Sequence, residues 1–209
     1  TVPEVGNMTV FLGLRYCELV ELCIYKQLGE GVGDFRNVIV DNCIISRSNR
    51  GLSIQIRDGG NVENVTYSNC IIETRRFCPD WWGTAEPIVI TTFNRDENTK
   101  SGKIKNVRFR NITCKGENGV LIHGTEENMI EDVTFENVNV TMTKTSKWDC
   151  GLYDLRPCLQ YGVEKYKNSG FFIRNAKNVL IEKSSVQWGN ICDDYNKAID
   201  AENAPNLEL

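Results

Sequence analysis

The chain has no Cys-x-x-Cys pair among its nine cysteines, which removes the zinc-ribbon and thioredoxin-type readings. It has no run near the roughly 18 apolar residues that a membrane-crossing helix needs. It has no basic excess: 24 Lys and Arg stand against 28 Asp and Glu, a net charge of -4, so it offers no cationic face for nucleic-acid phosphates. Its first residues lack the charged, apolar and small-residue order of a signal peptide, and a targeting segment is expected to be missing from this sequence. Histidine occurs once, as His123. What remains is ordinary globular composition, 41% hydrophobic and 25% charged over 209 residues, the scale of a single folded domain.

What the chain does have is a repeat. Five segments share one pattern: Asn37-Val-Ile-Val-Asp-Asn-Cys-Ile-Ile45, Asn64-Val-Thr-Tyr-Ser-Asn-Cys-Ile-Ile72, Asn106-Val-Arg-Phe-Arg-Asn-Ile-Thr-Cys114, Asp132-Val-Thr-Phe-Glu-Asn-Val-Asn-Val140 and Asn178-Val-Leu-Ile-Glu-Lys-Ser-Ser-Val186. A sixth begins at Asn206. The starts at 37, 64, 106, 132, 178 and 206 differ by 27, 42, 26, 46 and 28, a basic period of 26 to 28 residues with two longer intervals. Inside each unit apolar and polar residues alternate, which is strand periodicity, and Val, Ile, Thr and aromatics fill the runs. A second apolar run follows in four units, at Gly51–Ile56, Pro87–Ile90, Gly119–Ile122 and Gly170–Ile173. One such unit cannot bury its apolar face alone, so units must stack, each coil pairing in parallel with the next. The pattern predicts an all-β, right-handed parallel β-helix over residues 33–209, with insertions at 74–102 and 144–168. A leucine-rich repeat would need an L-x-x-L-x-L frame, which is absent.

The second Asn of the units (Asn42, Asn69, Asn111, Asn137) recurs at one phase and predicts a ladder of amides satisfying a buried turn, ending where Lys183 replaces Asn. Cys43 and Cys70 fall at equivalent places and read as stacked, buried thiols. Cys150 and Cys158 flank a loop and are the expected disulfide, with free thiols as the alternative. Four N-x-[ST] triplets, at Asn7, Asn64, Asn111 and Asn139, are of a kind that Asn-rich repeats generate by chance. Residues 1–32 do not fit the repeat. Apolar positions between Tyr16 and Leu28 fall at helical spacing, which reads either as a helix capping the open end of the stack or as a segment foreign to the fold.

Binding chemistry is expected on the two insertions, since loops on a rigid scaffold carry it. The first holds Trp81-Trp82-Gly83 beside Glu86, aromatic and acidic groups together, as a carbohydrate site requires. Arg50, Arg57, Arg75 and Arg76 could form a local basic patch suited to a sugar carboxylate, or simply solvated charge.

The run Asn49-Arg-Gly-Leu-Ser-Ile-Gln-Ile-Arg-Asp-Gly-Gly60, followed by Trp81-Trp82-Gly83, Glu86-Pro-Ile-Val-Ile90, Glu117-Asn-Gly-Val-Leu-Ile-His-Gly124, Tyr153-Asp-Leu-Arg-Pro-Cys158 and Ala201-Glu-Asn203, resembles glycoside hydrolase family 28, the polygalacturonase-like enzymes. The similarity runs from about residue 30 to the end. It implies a pectin-lyase-like solenoid, secretion, and inverting hydrolysis of galacturonan or related pectic chains by an acid and a base on opposite sides of the sugar. The resemblance also exposes departures. The family's Asn-Thr-Asp, Asp-Asp and Gly-His-Gly motifs have no counterpart in residues 1–32, and Ser53-Ile54-Gln55 stands where the family has Arg-Ile-Lys. His123 lies downstream of the family's histidine position, and Asp193-Asp194 falls in the last coils. The chain therefore reads as the C-terminal part of such an enzyme without its catalytic aspartates, its catalytic residues unassigned. The alternative is a non-catalytic β-helical carbohydrate-binding protein or a structural fragment. Expected substrate-contacting residues are Ser53, Gln55, Arg57, Asp58, Trp82, Glu86 and His123. No cofactor and no metal is implied; a pectate lyase, another β-helix chemistry, would want a cluster of calcium-binding carboxylates, and none is visible at repeat spacing. The expected partner is a polysaccharide or oligosaccharide, met by a monomer without nucleic acid or membrane.

Overall fold

The computed structural model describes residues 22–25, 33–80 and 82–209. Fifteen strands fall within them: β1 (Leu22–Tyr25), β2 (Phe35–Asp41), β3 (Ile44–Ser48), β4 (Arg50–Ile56), β5 (Val62–Thr74), β6 (Glu86–Thr92), β7 (Ile104–Gly116), β8 (Val120–His123), β9 (Ile130–Met142), β10 (Leu152–Asp154), β11 (Val163–Lys165), β12 (Phe171–Arg174), β13 (Ala176–Glu182), β14 (Ser185–Trp188) and β15 (Ile199–Glu202). Six of them form one parallel sheet in the order β1-β4-β6-β8-β12-β15, called sheet A below. A second parallel sheet, sheet B, runs β13-β9-β7-β5-β2, with β14 and β3 pairing β9 and β5. The short β10 and β11 form an antiparallel hairpin outside both. Successive coils are thus stacked in parallel, and the fold is a parallel β-helix.

Register follows the sequence repeat. Val38 pairs Val65, Val65 pairs Val107, Val107 pairs Val133, and Val133 pairs Val179. Each repeat interval read from the sequence therefore becomes one turn of the coil. Buried positions in β5 are Val62, Val65, Tyr67, Cys70, Ile72 and Thr74. Spacing of two is interrupted twice by a spacing of three, across Asn64 and Asn69, whose φ angles are 57° and 53°. A single residue out of phase would turn every following side chain to the wrong face. The left-handed asparagine absorbs that residue at a corner, and asparagine tolerates the conformation better than most residues. β7 and β9 repeat the device at Asn106, Asn111, Asp132 and Asn137.

The amide ladder forms and is doubled. Asn137 donates to Asn111 and Asn111 to Asn69, while Asn69 donates to Asp41 rather than to Asn42. A second ladder, unread in the sequence, uses the first Asn of each unit: Asn64 donates to Asn37, Asn106 to Asn64, Asn178 to Asp132 and Asn206 to Asn178. The second-Asn ladder stops at Lys183, which keeps the left-handed backbone at φ 50° but has no amide to continue it. The amides stand on exposed corners, correcting the expectation of a buried turn: the corner turns its side chains outward while the flanking valines turn inward.

Inside the coil, stacking extends to rings. Tyr67, Phe109 and Phe135 lie face to face at 5.2 and 5.0 Å, and Phe171 meets Phe135 edge-on at 5.3 Å. Cys43 and Cys70 are buried, and burial pushes the Cys70 thiol up to about 11. Two expectations change. Most of the segment read as a helix, Tyr16–Leu28, lies outside the described residues. Its described part, Leu22–Tyr25, is strand β1, paired with Leu52–Gln55, where it satisfies backbone groups that β4 would otherwise leave open. The disulfide joins Cys150 to Cys192, not to Cys158. Coil stacking is the reason. The second insertion lies beside the following coil, as Asn168 N–H to Asp194 O and Lys144 N–H to Asn190 O show, whereas Cys158 turns its thiol to the Leu155 and Tyr161 carbonyls.

Candidate functional site

Along each strand of sheet A one set of residues enters the coil and the other faces outward. Leu52, Ile54, Ile88, Ile90, Val120, Ile122, Phe171 and Ile173 belong to the main core. Their neighbours form two outward columns: Ser53, Val89, Leu121, Phe172 and Asp200, then Gln55, Thr91, His123, Arg174 and Glu202. The apolar middle of this face is roofed by the second insertion. Tyr153 and Leu155 pack on Val89, Phe93, Leu121 and Phe172 as a separate buried cluster.

Four of the expected contact residues are brought together under that roof. Gln55 donates to Ser53 Oγ at 2.8 Å and accepts from Arg57 Nη2 at 3.2 Å. Arg57 also donates to the Leu155 carbonyl at 3.1 Å and lies 5.0 Å from the Phe93 ring centre. His123 meets the Phe93 and Tyr161 rings, each at 5.1 Å, with Nδ1 on the Gly124 carbonyl. All four are buried. Asp58 follows β4 at the far end of the strip, half-buried and gripped by two Arg95 nitrogens at 2.9 and 2.7 Å. Glu86 and Trp82 lie at the other end. Glu86 is 0% exposed, and its carboxylate is taken up by Thr84 N–H, Thr84 Oγ and Arg50. Trp82 is half-buried, its carbonyl near Asn49 Nδ2. Trp81 lies outside the described residues.

The geometry adds residues that the sequence reading did not count among the expected contacts. Asp154 on β10 accepts from Gly83 N–H in the first insertion and from Arg156 Nε and Nη2 in its own. Burial pushes its carboxyl up, but the bonds from Arg156, the Arg50 charge and the Gly83 N–H outweigh that and hold it below the usual range. Glu117 holds the root of the same insertion through Thr145, Ser146 and Lys144. Burial again works upward, and these donors hold it below the ordinary value. Arg174 lies over the Phe172 ring at 3.9 Å and pairs with Asp200 and Glu202. Its signal was available: it ends the Gly-Phe-Phe-Ile strand at the position that His123 occupies one coil earlier.

The roof over His123 has a pH consequence. Burial first, then the charges of Arg174 and Arg57, lowers its pKa from 6.5 to about 4, against the opposing Gly124 bond and the Glu164 charge. The folded protein thus takes this proton later than the unfolded chain does. The stabilisation is full above pH 6.5 and is lost as pH falls from 6.5 towards 4, about 3 kcal/mol in all. Asp154 and Glu117, with depressed pKa values, lose theirs only as pH drops below the ordinary carboxylate range. Urea unfolding at pH 7.5 and 4.0 should show this loss in the natural chain and much less in His123→Asn. Equal losses in both would remove His123 from the account.

The Glycosyl hydrolases family 28 model matches residues 28–156. An endo-polygalacturonase of Pectobacterium carotovorum subsp. carotovorum is 29% identical over 112 residues, which cover 52% of this chain and 26% of that protein. The chain thus spans about a quarter of the length of the curated relative it matches. No solved structure matches. The matched region takes in the coils from β2 to β9, the first insertion and β10, and with more than half its length inside the family pattern the chain belongs to family 28 of the glycosyl hydrolases.

Proposed function

We propose that this chain is a groove-forming part of a glycosidase acting on galacturonan or related pectic chains, and that residues 33–209 bind such a chain without cutting it. The observation that carries this reading is the outward face of sheet A. Among the described residues its two columns carry carboxylates only at Asp200 and Glu202, and both are paired with Arg174. Inverting hydrolysis needs an acid and a base about 6.5–9.5 Å apart with a water between them. Two carboxylates on one strand, sharing one guanidinium, do not offer that arrangement.

Each expected contact residue takes a definite part in this reading. Asp58 and Trp82, half-buried at opposite ends of the strip, touch sugar directly, joined by Arg156. Ser53, Gln55, Arg57 and His123 meet the glycan only where the hairpin roof leaves them room. Glu86 positions the loop that carries Trp82 through its bonds to Thr84. The substrate is a polysaccharide, and secretion accords with the family.

The purified chain, incubated with polygalacturonate, is expected to release no new reducing ends. Titration with galacturonate oligomers is expected to change tryptophan fluorescence. Reducing-end release by the pure chain would overturn the proposed absence of an acid–base pair. A silent titration up to millimolar oligomer would leave only a scaffold.

A further inference from the structure

Sheet B carries a recess that the groove does not use. Its outward columns over β5, β7, β9 and β13 run Thr66, Arg108, Thr134, Leu180 and Ser68, Arg110, Glu136, Glu182. A cavity of about 350 Å³ opens there, lined by Thr66, Arg108, Arg110, Thr134, Glu136 and Glu182. That volume sits near the lower end of small-ligand pockets, roughly 300–1,000 Å³.

The charges in it are incompletely matched. Arg110 pairs with Glu136 at 2.7 Å. Glu182 lies directly beside Glu136 in register, a like-charge neighbour at the strand spacing, and has no ion pair with any described residue. Arg108, exposed between Thr66 and Thr134, likewise has no ion pair or side-chain hydrogen bond to a described residue. The recess therefore presents a free guanidinium fork, two hydroxyls and a free carboxylate within a few strand widths.

We propose that this recess is a second carbohydrate site, on a different sheet from the groove, that takes one acidic sugar unit of an oligosaccharide. The sugar carboxylate lies across the Arg108 fork in two parallel N–H···O bonds, a geometry that a guanidinium provides and an ammonium does not. Thr66 and Thr134 bond ring hydroxyls from either side. Glu182 accepts a hydrogen bond from a ring hydroxyl, a donor that its neighbour Glu136 cannot supply. A neutral sugar would leave Arg108 unanswered, and a bare polyanion would meet Glu136 and Glu182 head-on. The ligand must carry both an acid and hydroxyls. This site does not depend on hydrolysis or on the sheet A reading.

The test is titration of the intact ¹⁵N-labelled chain with digalacturonate and, separately, with the neutral galactose disaccharide. Digalacturonate is expected to shift amides of β5, β7 and β9 around Arg108, with an affinity near the millimolar range. Arg108→Ala should weaken that binding about tenfold, and Glu182→Ala should weaken it rather than strengthen it. Arg36→Ala, an exposed cation of sheet B across the Asn37 corner from the recess, should leave it unchanged. All three positions lie at the surface, and melting curves of the variants should match the parent. Equal binding of the neutral disaccharide, unchanged affinity in Arg108→Ala, or tighter binding in Glu182→Ala would each overturn the site. Shifts confined to β6, β8 and β12 would do so too, while leaving the groove reading intact.

Discussion

Glu86→Ala is expected to destabilise the protein by about 3–5 kcal/mol, because it takes a carboxylate away from a buried guanidinium. Arg50 and Glu86 have side chains 1% and 0% exposed, with Arg50 Nε 3.6 Å from the carboxylate. The substitution also orphans Thr84 N–H and removes one bond of Thr84 Oγ, which keeps the Leu152 carbonyl and Asn118 Nδ2. Arg50 in turn holds the Asp154 carbonyl at 2.9 Å, so the loss passes from the first insertion to the second. At this chain length the melting midpoint should fall by roughly 10 °C. Glu86→Gln, which keeps the shape and part of the bonding, should fall between. The measurement separates the position's two readings. A carboxylate that mainly touches sugar would lose binding on becoming Gln while the melting curve stayed in place. A carboxylate that positions a loop moves the curve first.

Phe109→Ala has an effect of similar size for a different reason. Phe109 is 1% exposed and sits between the Tyr67 and Phe135 rings, parallel to both within 7°. Truncating a buried Phe costs about 3–5 kcal/mol through lost transfer energy and the cavity left behind. The cavity here interrupts a column that spans several coils, so neighbours collapse poorly into it. Denaturant unfolding should show a lower midpoint, and Phe109→Leu should recover more than half of the loss. A destabilisation under about 1 kcal/mol would mean that the column contributes little beyond its neighbours. Because Arg108 and Arg110 flank Phe109 on the strand, this variant also disturbs the sheet B recess and should not be used to probe it.

The sequence carried the coil. Asn at each corner and Val, Tyr or Phe at the next inward places repeat with the period of one turn, and parallel stacking is the only way such units cover their apolar faces. That reading placed every pairing of sheet B from Val38 to Val179 and the end of the amide ladder at Lys183. It missed the ladder of first asparagines, because a recurrent Asn at a strand start reads as ordinary turn punctuation until its φ is known. Ser53, Gln55 and His123 sit at outward phase on strands that the repeat aligns, and Arg57 follows the first of these strands by one residue.

What the chain order could not reveal is how the insertions fold back. Asp154 reaching Gly83 across 71 positions, Glu117 anchoring Ser146, and Cys150 joining Cys192 across 42 have no local periodicity behind them. They depend on which loops leave the same side of the stack, and only the completed coil fixes that. So the residues themselves determined a parallel β-helix with an outward polar strip, because burial and backbone pairing leave the repeat no other arrangement. Tertiary structure alone decided that the strip lies beneath a hairpin and that Glu86 faces Arg50 instead of solvent: an irregular loop settles where its buried charges find partners.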